Sequence, residues 1–414
     1  MRKWTALAAA FLVACFLSPS QLFASEVDVL LDKLVEKGLL TRADAEEVRG
    51  EMKAESRAAI SSTEDVAVVK TAGPEWKVSG DIRLRNEYRE RTGSTSQNRQ
   101  RVRFRVGVDA KISDELKVGA RVATGSLTDP VSTNQTFDDT FVKKNFNLDR
   151  AYIKWTPDTE SSVKVMAEGG IFGNPFHTVS PMIWDDDLSF AGVAGKLTHE
   201  GEIGDVFLVL GVFPVDSDGY GSDAPTLYST QLGASVKPFE NARSEFAGNL
   251  KVTGAFAFHI FQNTANKAII NTQTGNTAAA SDFNEFNPSI QLDTKIAAVP
   301  FKLFADYVNN DGGGSQDTGY LVGFKLGKAK EPWSLKKGVE VGYFYEKLEA
   351  DAAFDAFVDS DFGSGGTNHK GHKVWLKLAT LENSSLQFAY FDTKAVTGAV
   401  ADNDTFQVDW VTKF

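Results

Sequence analysis

Cysteine is almost absent from this chain of 414 residues: the only one, Cys15, lies in an apolar N-terminal stretch. Past that stretch there is no thiol, which excludes disulfide staples, thiol catalysis and cysteine metal sites. Histidine is scarce too, with five in all. His369 and His372 have no acid at metal-ligand spacing. Gly363-Ser364-Gly365-Gly366 is not followed by the Lys-Ser/Thr of a phosphate loop. No Ser–His pair can be assembled for a lipase-like site. The reading is therefore no catalytic residue, no metal and no cofactor. Basic charge is outnumbered, 44 Lys and Arg against 55 Asp and Glu, for a net charge of −11. An acidic chain of this kind makes a poor nucleic-acid partner. Long apolar runs are also missing. Beyond residue 24 none reaches the length of a membrane helix.

What is present begins with a basic start, Met1-Arg2-Lys3, an apolar run from Trp4 to Leu17, and Leu22-Phe23-Ala24 as a cleavage site. This predicts a secretory signal over residues 1–24. Leu12-Val13-Ala14-Cys15 loosely resembles a lipoprotein box, but Phe16-Leu17 carry the apolar run past the cysteine. Cleavage takes Arg2 and Lys3 and no acid, so the charge goes from −11 to −13. Residues 25–60 change period. Val27, Leu30, Leu31, Leu34 and Val35 recur at helical spacing, Gly38 is a stop, and Thr41 to Asp44 is a capping box. A short periplasmic helical hairpin is expected there, either an oligomerisation or anchoring element or a loosely ordered lead-in. A linker follows over 61–75.

From Trp76 onward the period is two. In the final residues Phe406, Val408, Trp410, Thr412 and Phe414 share one face; Gln407, Asp409 and Lys413 share the other. Apolar and polar faces alternate likewise along Trp76–Tyr88, Arg101–Ile112, Leu250–Ile260, Tyr320–Leu326 and Val339–Glu346. A soluble sandwich also alternates, so connection lengths decide. About sixteen strands can be placed. Long connections, at 125–145, 171–189, 262–286 and 350–369, fall on one end, and mostly short turns fall on the other. That asymmetry belongs to an outer-membrane barrel, which also explains a mean hydropathy of only −0.22, because half of each strand faces water. The expected fold is all-β, a transmembrane antiparallel β-barrel over 76–414. Trp76, Trp155, Phe239, Phe301, Trp333 and Phe414 mark its periplasmic girdle. Phe406, Val408, Trp410 and Phe414 serve as the assembly signal read by the barrel-assembly machinery. One strand, Val206–Val212, is apolar on both faces, which fits packing against an inward loop or a subunit contact.

The chain resembles the proteobacterial "putative porin" family of outer-membrane barrels over nearly its whole length beyond the signal. The resemblance rests on residues 34–41, on Gly80-Asp81-Ile82-Arg83-Leu84-Arg85 with Arg101-Val102-Arg103-Phe104-Arg105, and on residues 148–155. It also rests on Gly173-Asn174-Pro175-Phe176 and Trp184-Asp185-Asp186-Asp187-Leu188. It implies a passive diffusion channel, a homotrimer as general porins are. Where the family tends to show Gly followed by Lys or Arg, this chain has Glu168-Gly169-Gly170.

Arg83, Arg85, Arg101, Arg103, Arg105 and Arg121 fall on the lumen face of adjacent strands, since Arg facing lipid at the midplane costs roughly 2–4 kcal/mol. They are either a pore-lining basic wall or one web of salt bridges with Asp81, Glu87 and Asp109. In general porins the third loop narrows the pore. The corresponding constriction loop here carries Asn174, Pro175, Phe176, Trp184, Asp185, Asp186 and Asp187, and its acids would set a transverse field against the arginines. The expected function is an outer-membrane porin passing small hydrophilic solutes and ions, with a weak anion preference. The alternative is a non-conducting barrel acting as scaffold, adhesin or sleeve for an electron-transfer partner. Outer-membrane lipid and lipopolysaccharide are the expected surroundings, in the outer membrane of a Gram-negative bacterium.

Overall fold

The computed structural model describes residues 74–414 except 218–220, 268, 270–274, 278–281, 313 and 399–401. The expected signal, helical hairpin and most of the linker lie outside the described residues. The first part of the wall is β1 (Glu75–Arg91), β2 (Gln97–Lys111), β3 (Leu116–Thr124), the two-residue β4 (Gln135–Thr136), β5 (Phe146–Trp155), β6 (Val163–Gly173), β7 (Ser189–Glu200), β8 (Gly204–Pro214) and β9 (Thr226–Val236). It continues with β10 (Lys251–Gln262), β11 (Phe283–Ile296), β12 (Val299–Asn310), β13 (Thr318–Gly327), β14 (Val339–Leu348), β15 (His369–Leu381), β16 (Ser384–Ala395) and β17 (Asp402–Lys413).

These form one antiparallel sheet that closes on itself, because β1 pairs with β2 on one side and β17 on the other. The seam runs from Asp81 opposite Lys413 to Arg91 opposite Asn403. It is finished by two backbone bonds, Gly80 N–H to the Phe414 carbonyl at 2.9 Å and Phe414 N–H to the Gly80 carbonyl at 3.0 Å. Closure leaves no unpaired edge in lipid. β4 is the exception to a wall of sixteen full strands. β3 is too short to cover the upper part of β2, so Gln135 and Thr136 from the following loop pair there with Val102 and Arg101.

The faces are inverted relative to a soluble protein. On β17, Phe406 and Trp410 are 40% and 50% exposed while Thr405, Gln407 and Asp409 are buried. The apolar face meets lipid and the polar face meets the interior. Turns at the periplasmic end are mostly tight, such as Ala297-Ala298 and Glu382-Asn383, but two are longer. Residues 237–250 hold a one-turn helix, Glu245–Gly248, capped by the Ser244 side chain. Residues 328–338 carry the exposed Trp333.

Candidate functional site inside the barrel

A barrel of sixteen strands is too wide for its own side chains to fill. Here chain from the loops fills much of it. The segments 174–188 and 349–368 turn inward and bury Phe176, Met182, Ile183, Trp184, Ala352, Ala353, Ala356, Val358 and Phe362. They pack on inward aromatics of the wall. Phe190 lies 5.0 Å from Phe213 and 5.9 Å from Phe176, and Phe261 stacks on Phe354 at 5.0 Å. This accounts for the strand that is apolar on both faces. The inward Phe207, Val209 and Phe213 of β8 belong to this core, and its outward residues face lipid. Polar anchors set the path of the loops. Gln231 bonds both the N–H and the carbonyl of His177, at 2.8 and 2.9 Å. Ser180 donates to Asp306 at 2.6 Å, and Glu285 accepts from Phe354 N–H at 2.8 Å.

The opposite side of the interior, on β17, β1, β2 and β3, is charged. The sequence expects a wall of arginines, and in the structure each of the six turns inward. Arg103 and Arg105 both clamp Asp81, at 2.9 and 2.8 Å from their Nε atoms. The same two reach Asp187 of the inward loop at 3.4 and 2.9 Å. Thr133 donates to Asp187 from a third loop at 2.8 Å. Arg85 is held by Asp409 and Asp361, each at 2.7 Å. Glu87 gathers Arg99, Arg89, Arg85 and Arg101. Arg121 pairs with Asp149. Asp109 turns instead to Lys117 and Tyr152. Arg83 makes no ion pair among the described residues and donates to Asn134 at 2.6 Å. Buried nitrogens of Arg83, Arg89, Arg101 and Arg121 reach no protein acceptor among the described residues.

The acidic loop does not stand across an open gap from this wall. Asp187 is in direct contact with it, Asp186 is exposed, and Asp185 turns away to the second inward loop. There Asp185 accepts from Ser360 N–H at 2.8 Å, and its own N–H donates to the Phe357 carbonyl at 2.9 Å. Asn174 accepts from Phe176 N–H across Pro175, a side-chain turn that starts the inward path. Trp184 donates to His259 at 3.4 Å. Among the described residues no group of acids, histidines and cysteines is arranged to hold a metal.

The joint between the two loops contains carboxyls pushed in opposite directions. Burial, then Asp359 and Asp187, raise the Asp185 carboxyl well above its usual range. Burial, with Asp361 and Glu346, pushes Asp359 up to about 6 against the pull of Lys373. Burial would also raise Asp187 and Asp361, but the arginines outweigh it. Arg103, Arg83 and Arg105 hold Asp187 low, and Arg85 and Arg83, with Lys373, hold Asp361 low. A raised pKa means the docked loops bind protons that separated loops release. The Asp359 contribution to docking is complete below the ordinary carboxyl value of 3.8 and is lost as pH rises through about 6, and that of Asp185 has the same sign. The two depressed groups support docking above 3.8 and lose that support only at lower pH. Docking of 349–368 is therefore expected to tighten between pH 7 and pH 4.5. Hydrogen exchange in residues 354–362, corrected for intrinsic rates, should slow over that range and lose most of its pH dependence in Asp359→Asn. A flat profile in the parent protein would refute the joint.

Sequence reasoning missed the second inward loop. Its acids, Asp351, Asp355, Asp359 and Asp361, read as a solvated run; the neighbouring Ala352, Ala353, Ala356, Val358 and Phe362 were the available signal. Arg99, Arg89, Gln407 and Asp409 were also visible as inward positions by parity alone.

A family model described as "Putative porin" matches residues 81–292 and 250–414. Among solved structures, the barrel is similar to the high-pH structure of OprB from Pseudomonas putida, at 11% identity, covering 82% of this chain and 94% of that one, with a TM-score of 0.56. It is also similar to OmpF of Salmonella typhi in complex with daunomycin, at 10% identity, covering 83% and 98%, with a TM-score of 0.50. These likenesses establish the fold. A search of curated proteins matches nothing.

Proposed function

Because the chain belongs to the "Putative porin" family and is an outer-membrane channel of a Gram-negative bacterium, we propose that it passes small hydrophilic solutes passively, with a preference for anions. The route follows the arginine side of the interior. One observation carries this reading. On β1 and β2, six guanidinium groups (Arg85, Arg89, Arg99, Arg101, Arg103 and Arg105) share five carboxylates (Asp81, Glu87, Asp187, Asp361 and Asp409) in ion pairs, and a seventh, Arg83, bonds the neutral Asn134. The surplus is positive although the chain as a whole is acidic. Charges lining a narrow passage act on an ion at close range, whereas exposed loop acids are screened within about 8 Å at physiological salt. The aromatic filling against β6 to β11 offers no comparable route for a hydrated solute.

The reversal potential of single channels in a salt gradient tests the proposal, and it should carry the sign of anion preference. Arg83 is the cleanest probe because its side-chain hydrogen bond is to the neutral Asn134, and it acts on Asp187 and Asp361 only through its field. Arg83→Gln should lower the anion-to-cation permeability ratio a few-fold. Arg103→Gln and Arg105→Gln should do the same with some loosening of the loop, and Asp187→Asn should raise the ratio. Strong cation preference that survives Asp187→Asn, or failure to conduct, would refute the assignment.

A further inference from the structure

At the loop end of the interior lies a cavity of about 310 Å³, between the end of the second inward loop and the strands β15, β16, β17 and β1. Gly363, Ser364 and Gly365 form one side of it, and Arg91, His369 and Asn403 stand on the strands around it. Gly363, Ser364, Gly365, Gly366 and Asn368 all take the left-handed backbone, with φ of 62°, 76°, 84°, 78° and 62°. Glycine adopts that region freely, whereas Ser364 must be held there. Asn403 holds it, donating from Nδ2 to Ser364 Oγ at 2.7 Å. The loop then passes so close to β15 that any Cβ at Gly363 would strike His369 Nδ1.

Most of the polar lining is bonded within the protein, and the remainder defines a ligand. Thr367 donates to the Ala350 carbonyl at 2.6 Å, and Asn368 accepts from Thr397 N–H at 3.0 Å. Thr393 donates to the Asn403 carbonyl at 2.8 Å. Its hydrogen being committed there, Thr393 can only accept from the Asn403 side chain, at 3.4 Å, which fixes Nδ2 on that side. Asn403 Oδ1 is then without a partner among the described residues. His369 Nε2 lies 2.9 Å from the Glu346 carboxylate. With the hydrogen of the neutral ring on that nitrogen, His369 Nδ1 is a second unpartnered acceptor. Asn403 and His369 are 5% and 4% exposed, and a buried acceptor without a donor costs about 1–3 kcal/mol. The third available group is a cation. Arg91 is directly opposite Asn403 and shares the inward parity of Arg85, Glu87 and Arg89. It makes no ion pair among the described residues, and no Asp or Glu lines the cavity.

We propose that this cavity is a binding site for a small hydroxylated carboxylate. The Arg91 guanidinium takes the carboxylate, and Asn403 Oδ1 and His369 Nδ1 take hydrogens from the hydroxyl groups. A guanidinium fork matches a carboxylate with two parallel bonds. A neutral polyol would leave Arg91 without an anion, and a plain alkyl carboxylate would leave both acceptors unsatisfied. A cation would meet no counter-charge. Arg91 stands at the outer end of the arginine row on β1, so the site names a solute class for the passage and rests on that reading for its place on the route.

The test uses the full chain purified in detergent, with D-gluconate as probe and titration calorimetry as readout. Gluconate should bind with one site per chain. Glucose, which lacks the carboxylate, and hexanoate, which lacks the hydroxyls, should each bind at least about tenfold more weakly. Arg91→Gln, at an exposed position, should bring gluconate down to the level of glucose, and Arg91→Lys should recover part of the loss. Hydrogen exchange of the parent protein locates the site without any variant: gluconate should slow residues 363–369 and 393–397. Equal binding of the three probes, undiminished binding to Arg91→Gln, or slowing confined to residues 101–105 would overturn the proposal. Binding at equilibrium requires no conduction. A protein that binds gluconate and does not conduct would refute the channel and leave this site standing, and one that conducts without binding would do the opposite.

Discussion

Replacing Arg85 by methionine is expected to free the inward segment 349–368 while leaving the barrel standing. The Arg85 side chain is 3% exposed and is shared between Asp409 of the wall and Asp361 of the loop. Methionine fills similar volume but leaves both carboxylates without their cation. Removing one partner of a buried ion pair typically costs about 3–5 kcal/mol. The wall is carried by strand pairing around its whole circumference and survives; the loop is held by fewer ties and moves. Its other anchors include the bonds of Asp185 to Ser360, Glu285 to Phe354, Asn276 to Ala350 and Ala353, and Asn310 to Asp351, together with the buried Ala352, Val358 and Phe362. The expected result is higher and noisier single-channel conductance with faster hydrogen exchange across 350–365. Arg85→Lys should resemble the methionine variant, since one ammonium cannot span two carboxylates as a guanidinium fork does. Adding Asp361→Asn to Arg85→Met should recover part of the loss. Parent-like conductance and exchange in Arg85→Met would show that the charge cluster does not hold the loop.

The second large effect is expected at the seam. Pairing β1 with β17 joins the two ends of the wall, the contact of greatest sequence separation and so the slowest to form. Gly80 and Phe414 complete it with two reciprocal backbone bonds. The Phe414 ring lies over Gly80, where any Cβ would strike both the ring and the Arg105 carbonyl. It also stacks on Phe104 at 6.4 Å. Deleting Phe414 removes both bonds, each contributing about 1 kcal/mol, and the ring that covers the joint. Gly80→Leu should act in the same direction by wedging the ring away, at about 1–3 kcal/mol for overpacking. Both variants should lose most of the heat-modifiable folded band in membrane fractions, the deletion more completely. Parent-like levels of folded protein would mean that closure does not depend on this contact.

The wall was legible in the sequence almost strand by strand. Strand parity needs only the alternation of side chains, and alternation such as Phe406-Gln407-Val408-Asp409-Trp410 is written locally. The inward direction of Arg83, Arg103 and Arg105 followed from the cost of putting guanidinium groups in lipid, which is a property of the residue and not of its neighbours. The length asymmetry of the loops likewise settled barrel over sandwich. The strand covering Val206–Val212 marked the limit. Its two apolar faces required something apolar inside the barrel, and nothing local said what.

That something is the pair of inward loops, and only the tertiary structure decided their path. A loop rich in Asp, such as residues 351–361, is stable in water or in a cavity that supplies cations. The choice depends on Arg85, whose sequence position is remote and which reaches that loop only when the barrel closes. The same holds for Asp187 against Arg103 and Arg105. Periodicity determined which way each side chain faces, because facing is a property of the strand. Partnership between side chains is a property of closure, since ion pairs such as Arg85 with Asp361 arise only after distant strands and loops have been set beside one another.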